Sequence, residues 1–214
     1  MRVARTALCL ALTGSLLGAG VAGAATKPKP KPKPKPVCNL VTDDAGDASI
    51  LGPDPSDDTF DILGADIASN AKTFTAVMRI KNLSASSPTS VTGRNYYLQI
   101  TLPSFANPIY FSYEMDATGG VYKWGDLEPG QGGVASYTSK GDGTGTINTA
   151  KNEIHISVPV ADIAALGKVT PGTKISAIHV NTTAVLGVLV TDVDSADNTK
   201  AYIAGALSCV TPGK

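Results

Sequence analysis

Residues 37–67 read VCNLVTDDAGDASILGPDPSDDTFDILGADI, and no other stretch of the 214-residue chain is so biased. Asp43, Asp44, Asp47, Asp54, Asp57, Asp58, Asp61 and Asp66 all fall inside it. A short strand containing Cys38 leads into an acidic turn that Gly46 permits, then into a second acidic loop broken by Pro53 and Pro55, then into a strand. Strand, carboxylate-bearing turn, strand is the syntax of an all-β protein.

Outward from that stretch the period stays at two. Phe74, Ala76, Met78 and Ile80 alternate with Thr75, Val77, Arg79 and Lys81, and Tyr96, Leu98, Ile100 and Leu102 alternate with Tyr97, Gln99 and Thr101. Ile109, Phe111, Tyr113 and Met115 form a third such set, and Ile154, Ile156, Val158 and Val160 a fourth. Half-buried antiparallel strands read this way. Further strands are expected at 133–138, 145–149, 174–183, 185–190 and 201–207. Turn signals separate them, including Gly141 to Gly145, read as a hairpin turn, and Pro171-Gly172. Many short strands at this spacing predict two antiparallel sheets packed as a β-sandwich. One short helix is expected over Val160 to Leu166, ending at Gly167.

The first residues carry Arg2 and Arg5, an apolar run from about Ala7 to Leu17, and small residues through Ala25. That layout predicts a signal peptide over 1–25, cleaved near Ala24-Ala25, and hence a secreted protein. The run is too short to span a membrane, and no later stretch is long enough. Cys9 leaves with the leader. Cys38 and Cys209 then remain in an oxidising compartment, where they are expected to pair, tying the first strand to the last. Two separate buried thiols are the alternative.

Residues 26–36 contain five Lys-Pro repeats, an extended polyproline II linker. Two readings of it stand: a cationic arm for anionic wall polymer, or a plain spacer. Residues 37–214 follow as one domain. The charge of the whole chain balances at 18 basic and 18 acidic residues, but two arginines lie in the leader and five lysines in the linker. The domain therefore holds 11 basic against 18 acidic residues. So acidic a body has no case for nucleic acid as a partner.

Calcium takes six to eight oxygens, which short Asp side chains and turn carbonyls supply. Asp43, Asp44 and Asp47 fall in one tight turn, and 192–197 offers Asp192, Asp194 and Asp197 in what reads as a second loop. A Cys38–Cys209 bridge would bring both to one end of the sandwich. Against this stands a structural account in which the aspartates serve as Asx-turn and capping residues.

Thr42-Asp43-x-Ala45-Gly46-Asp47-Ala48, then Phe60-Asp61-Ile62 with Ala65-Asp66-Ile67, then Phe74 to Ile80, resembles the start of calcium-associated jelly-roll domains similar to family 9 carbohydrate-binding modules and DOMON-like domains. Ile154 to Pro159, Asp162, Leu166 to Pro171-Gly172, and Asp194 to Asp197 before Tyr202 are similar to that family's later strands. The resemblance implies a jelly-roll sandwich, with Asp43 and Asp47 as calcium ligands and Asp61 as a third. Asp194 joins them from the second acidic segment.

The inventory for catalysis is thin. His155 and His179 are the chain's two histidines, and no nucleophile elbow or zinc-protease motif is present, so no catalytic residues are assigned. Glycan binding would use exposed aromatic rings. By strand parity Tyr97 and Tyr110 point away from Leu98 and Phe111, and Trp124 shares a face with Tyr122; Tyr97, Tyr110 and Trp124 are the candidate ligand-binding rings, with the core as the competing home. The expectation is a non-catalytic module that binds a glycan or cell-wall polymer and is stabilised by Ca2+, the alternative being a structural domain that meets a protein partner.

Overall fold

The computed structural model of the chain describes residues 35–50, 57–85, 91–103, 105–129, 135–163 and 166–213. The expected signal peptide, and the linker apart from exposed Lys35 and Pro36, lie outside the described residues. So does the loop residue Asp54.

Each alternating segment is a strand, because alternation gives one face apolar enough to bury and one polar enough to leave out. In chain order the strands are β1 (Val41–Thr42), β2 (Ile62–Ser69), β3 (Thr73–Ile80), β4 (Gly93–Thr101), β5 (Ile109–Asp116), β6 (Gly119–Pro129) and β7 (Ala135–Asp142). Then come β8 (Thr144–Asn148), β9 (Glu153–Pro159), β10 (Lys174–Ile175), β11 (Ala177–Leu186), β12 (Leu189–Asp197) and β13 (Tyr202–Ile203). They build a five-stranded sheet in the order β1-β2-β3-β9-β8 and a six-stranded sheet in the order β12-β11-β4-β5-β6-β7, with β10 and β13 paired apart. All these strand pairings are antiparallel.

The sheets face each other across one core. Ile67, Phe74, Ala76, Met78, Ile154 and Ile156 come from one side, and Tyr96, Leu98, Ile100, Phe111 and Val180 from the other. Phe74 of β3 stacks on Phe111 of β5 at 4.7 Å between ring centroids, joining the layers at their centre. Burying rings of this size contributes about 2–3 kcal/mol each.

The chain ends are stapled as expected. Cys38 and Cys209 form a disulfide with their Cα atoms 5.3 Å apart. Val37 N donates to Leu207 O at 2.9 Å, and Leu40 O accepts from Thr199 N at 2.8 Å. The segment that carries the acidic turn is thereby held against the last residues of the domain.

Four expectations need correction. The helix over Val160 to Leu166 is instead a pair of 3-10 turns, Val160–Asp162 and Leu166–Lys168. Ile163 is extended at φ −111° and ψ 97°, and this break lets both Ile163 and Leu166 enter the core. The strand expected at 185–190 is a hairpin: Gly187 at φ 66° turns β11 into β12. Its partner β12 holds 192–197, so the second acidic segment is strand and not loop. Finally, Gly141 to Gly145 is a corner between sheets, since β7 pairs with β6 and β8 pairs with β9.

Candidate functional site

Two acidic segments far apart in sequence meet at one rim. Gly46 takes φ 97°, a conformation glycine adopts without steric cost, and its N–H donates to Asp61 Oδ2 at 2.6 Å. The turn bearing Asp43 and Asp47 is thus pinned to the start of β2. Asp194 arrives from the other sheet. The register of β12 against β11 slips between Thr182 and Thr183, which makes Val193 the extra residue of a β-bulge. Val193 packs with Ala48, Phe60, Val91 and Ala184, and its carbonyl accepts from Ser49 N at 3.0 Å. Asp194 then reaches across the sandwich: Oδ2 accepts from Ile62 N at 2.7 Å and Oδ1 from Ser195 N at 2.7 Å.

The result is a trio. One carboxylate oxygen from each of Asp43, Asp47 and Asp194 lies within 4.8 Å of the others. Two oxygens bound to one calcium ion at 2.3–2.6 Å are at most about 5 Å apart, so the spacing fits a shared ion. Asp61 touches the same turn through Gly46 but is not one of the three that converge.

Charge at this rim is not balanced by the side chains described around it. Lys81 Nζ pairs with Asp58 Oδ1 at 2.7 Å and Asp61 Oδ2 at 3.3 Å. Asp43 Oδ2 and Asp61 Oδ1 are buried with no hydrogen-bond partner among the described residues. Burial first, then the carboxylates of Asp47, Asp44 and Asp61, push the Asp43 carboxyl above its ordinary range. Burial, reinforced by Asp43 and Asp47, pushes Asp194 up to about 6. Crowded carboxylates with orphaned oxygens are what a hard divalent cation would relieve.

The aromatic candidates separate. Tyr97 and Tyr110 share the outer face of the six-stranded sheet, as parity indicates, yet only 6% and 1% of them is exposed. Tyr137 from β7 covers them, stacked on Tyr97 at 4.1 Å and edge-on to Tyr110 at 5.2 Å. Trp124 stands opposite Phe111 in register and packs against the core, on the other face. The three rings therefore do not form one exposed platform.

Protein-family models, curated proteins and solved structures yield no match to this chain. Its own geometry carries the functional reading. The histidines are each engaged with a carboxylate two strand positions away or across a pairing: His155 Nε2 with Glu153 Oε2 at 3.0 Å, His179 Nδ1 with Asp197 Oδ1 at 2.9 Å. Sequence reasoning missed Tyr137, Gln99 and Asn181, which form a hydrogen-bonded cluster on the outer face. Gln99 was within reach, since it alternates in phase with Tyr97; nothing local marks Tyr137 or Asn181.

Proposed function

We propose that the chain is an exported, non-catalytic binding module of jelly-roll type, stabilised by calcium, whose ligand is a glycan or other cell-surface polymer. The observation that carries the calcium part of this reading is the convergence of Asp43, Asp47 and Asp194, from elements of both sheets, beside buried carboxylate oxygens that lack donors among the described residues. Asp43 and Asp47 follow β1 of one sheet and Asp194 lies on β12 of the other, so an ion held there would cross-link the layers. Turn carbonyls, water and the second oxygens of these carboxylates would complete its shell. The Cys38–Cys209 disulfide suits an oxidising compartment, and no helix among the described residues is long and apolar enough to cross a membrane.

The test is thermal unfolding in excess chelator and in millimolar calcium. Calcium should raise the midpoint in the wild type and fail to do so in Asp43→Asn. Equal midpoints for the wild type would remove calcium from the reading.

A second reading, a domain that meets a protein partner, is favoured by one feature. The β11–β12 hairpin tip exposes Val188 at 98%, Leu189 at 66% and Val190 at 63%. Adjacent apolar side chains this open are a recognised mark of interaction surfaces. Retention on cell-surface material that survives glycan removal and is lost in Val188→Asp would favour it.

A further inference from the structure

The outer face of the six-stranded sheet is not flat. Strands β7 and β11 are separated by β6, β5 and β4, which at the usual spacing puts them about 19 Å apart in a flat sheet. Tyr137 of β7 nevertheless donates its hydroxyl to Asn181 Oδ1 of β11 at 3.2 Å. A tyrosine and an asparagine cannot span the flat distance together, so the sheet curls over this face. The curl has local causes. Lys140 is the extra residue of a bulge where β7 pairs with β6 at Trp124/Gly125, and bulges bend the strand that carries them. Opposite Tyr110, Gly125 leaves room that a Cβ would lose to the Thr138 carbonyl and the Tyr110 ring.

We infer that this trough is the module's ligand site and that it takes a stretch of uncharged glycan. The inference rests on the glycan-binding reading above and gives it a place. The trough has a volume of about 630 Å3, and its walls include Asn95, Gln99, Leu127, Tyr137, Asn181 and Asp192. Gln99 and Asn181 are 8% and 4% exposed, so these polar groups are built into the floor. Gln99 Nε2 donates to Tyr137 Oη at 3.0 Å and to Asn181 Oδ1 at 2.9 Å, and Asn181 Nδ2 donates to Asp192 Oδ1 at 3.3 Å. Gln99 spends its N–H groups inside the network, which leaves Oε1 as the acceptor of this side chain.

Ligand class follows from the lining. Among the described residues its lining includes Asp192 and His179 but neither lysine nor arginine. A polyanion would find a carboxylate and no cation. An apolar ligand would leave amides unpaired, at the cost that attends buried polar groups. Peptides that bind sheets by main-chain pairing use an edge, and this site is a face. Hydroxyl-rich rings suit it: amides, hydroxyls and a carboxylate supply both hydrogen-bond senses, and Leu127 and Val190 offer apolar contact for the C–H face of a sugar.

The test is an NMR titration of the isotope-labelled exported chain, following the side-chain amide signals of Gln99 and Asn181. The probes are cellohexaose, laminarihexaose, xylohexaose and mannohexaose, with hexagalacturonate as the charged comparison and a calcium-saturated sample throughout. At least one neutral hexasaccharide should move both signals, and hexagalacturonate should move neither. Exposed Asp192→Ala, and Tyr137→Phe, should weaken that binding about 10-fold in samples that still unfold in one cooperative transition. Failure of every neutral probe to move the signals overturns the proposal, as does a response to hexagalacturonate alone or to a peptide library alone. If a neutral probe binds but both variants keep full affinity, the site lies elsewhere and the glycan reading stands without this trough. The calcium reading is judged separately, from the chelator melt.

Discussion

Asp66 and Asp61 are both fully buried, one inside β2 and one just before it, yet the protein treats them differently. Around Asp66 the chain supplies its own counter-charge. Arg79 Nη2 donates to Oδ2 at 2.7 Å and Leu40 N to Oδ1 at 3.1 Å, with Glu153 holding Arg79 from the far side at 3.4 Å. Around Asp61 the counter-charge is divided. Lys81 is shared with Asp58, Oδ1 has no donor among the described residues, and Asp43, Asp47 and Asp194 crowd the same rim. A buried carboxylate is tolerated only when paired, and Asp66 is neutralised within the fold, although Arg79 Nη1 finds no acceptor among the described residues. Under the calcium proposal the contrast is one between a strut and a receptor.

The harshest way to break the comparison is to cut what both regions share. Residues 38–47 supply Leu40 to Asp66 and Asp43 and Asp47 to the rim, and the Cys38–Cys209 bridge closes a sequence separation of 171 residues around them. Replacing both cysteines by serine should lower stability by about 5 kcal/mol, read as a shifted denaturant midpoint, and should weaken calcium binding as well. Next in size is Arg79→Met, which leaves Asp66 buried without its guanidinium. It should cost about 3 kcal/mol, with the same loss in chelator and in calcium. A loss that calcium repairs would erase the distinction between strut and receptor.

Calcium itself comes next. At a hundredfold excess over its dissociation constant a bound ion adds about 2.7 kcal/mol, or roughly 5–10 °C in the melting midpoint for a chain this long. Asp43→Asn and Asp194→Asn should each lose that increment while Arg79→Met retains it. The opposite pattern would place the ion at Asp66.

The two regions also differ in how far they could be read from sequence. The sandwich, its stapled ends and the placement of Asp43 and Asp47 follow from alternation, cysteine arithmetic and a glycine-bearing turn, all local signals. The sequence marks Asp194, but as part of a loop. It lies on a strand, and what aims it at Ile62 is a bulge at Val193 that no local residue announces. Parity puts Tyr97 and Tyr110 on the correct face, yet their burial depends on Tyr137, brought over them by curvature summed across several strands. The Arg79–Asp66 pair crosses from β3 to β2, and strand parity does not say which of several aspartates a given arginine will meet. Local patterns reach as far as the strands; the sites arise where strands bend.

The smallest effect, and the sharpest probe of the surplus charge, is the pH dependence of the metal-free rim. In the folded protein Asp194 titrates at about 6, against an ordinary 3.8. Between those values the native state holds a proton that the unfolded chain has released. Stability therefore falls as pH rises through this window, and the contribution is most favourable below 3.8. The full shift corresponds to about 3 kcal/mol, but Asp194 is only half buried, and solvent screening reduces the expected change to about 1 kcal/mol. The measurement is the stability of wild type minus that of Asp194→Asn, in chelator, at pH 4 and pH 7. Wild type should lose ground to the variant as pH rises. In saturating calcium the sign should reverse, because protons and calcium compete for the same oxygens and deprotonation then favours the bound ion. A difference that ignores pH in chelator would mean that the rim carries no excess charge for calcium to neutralise.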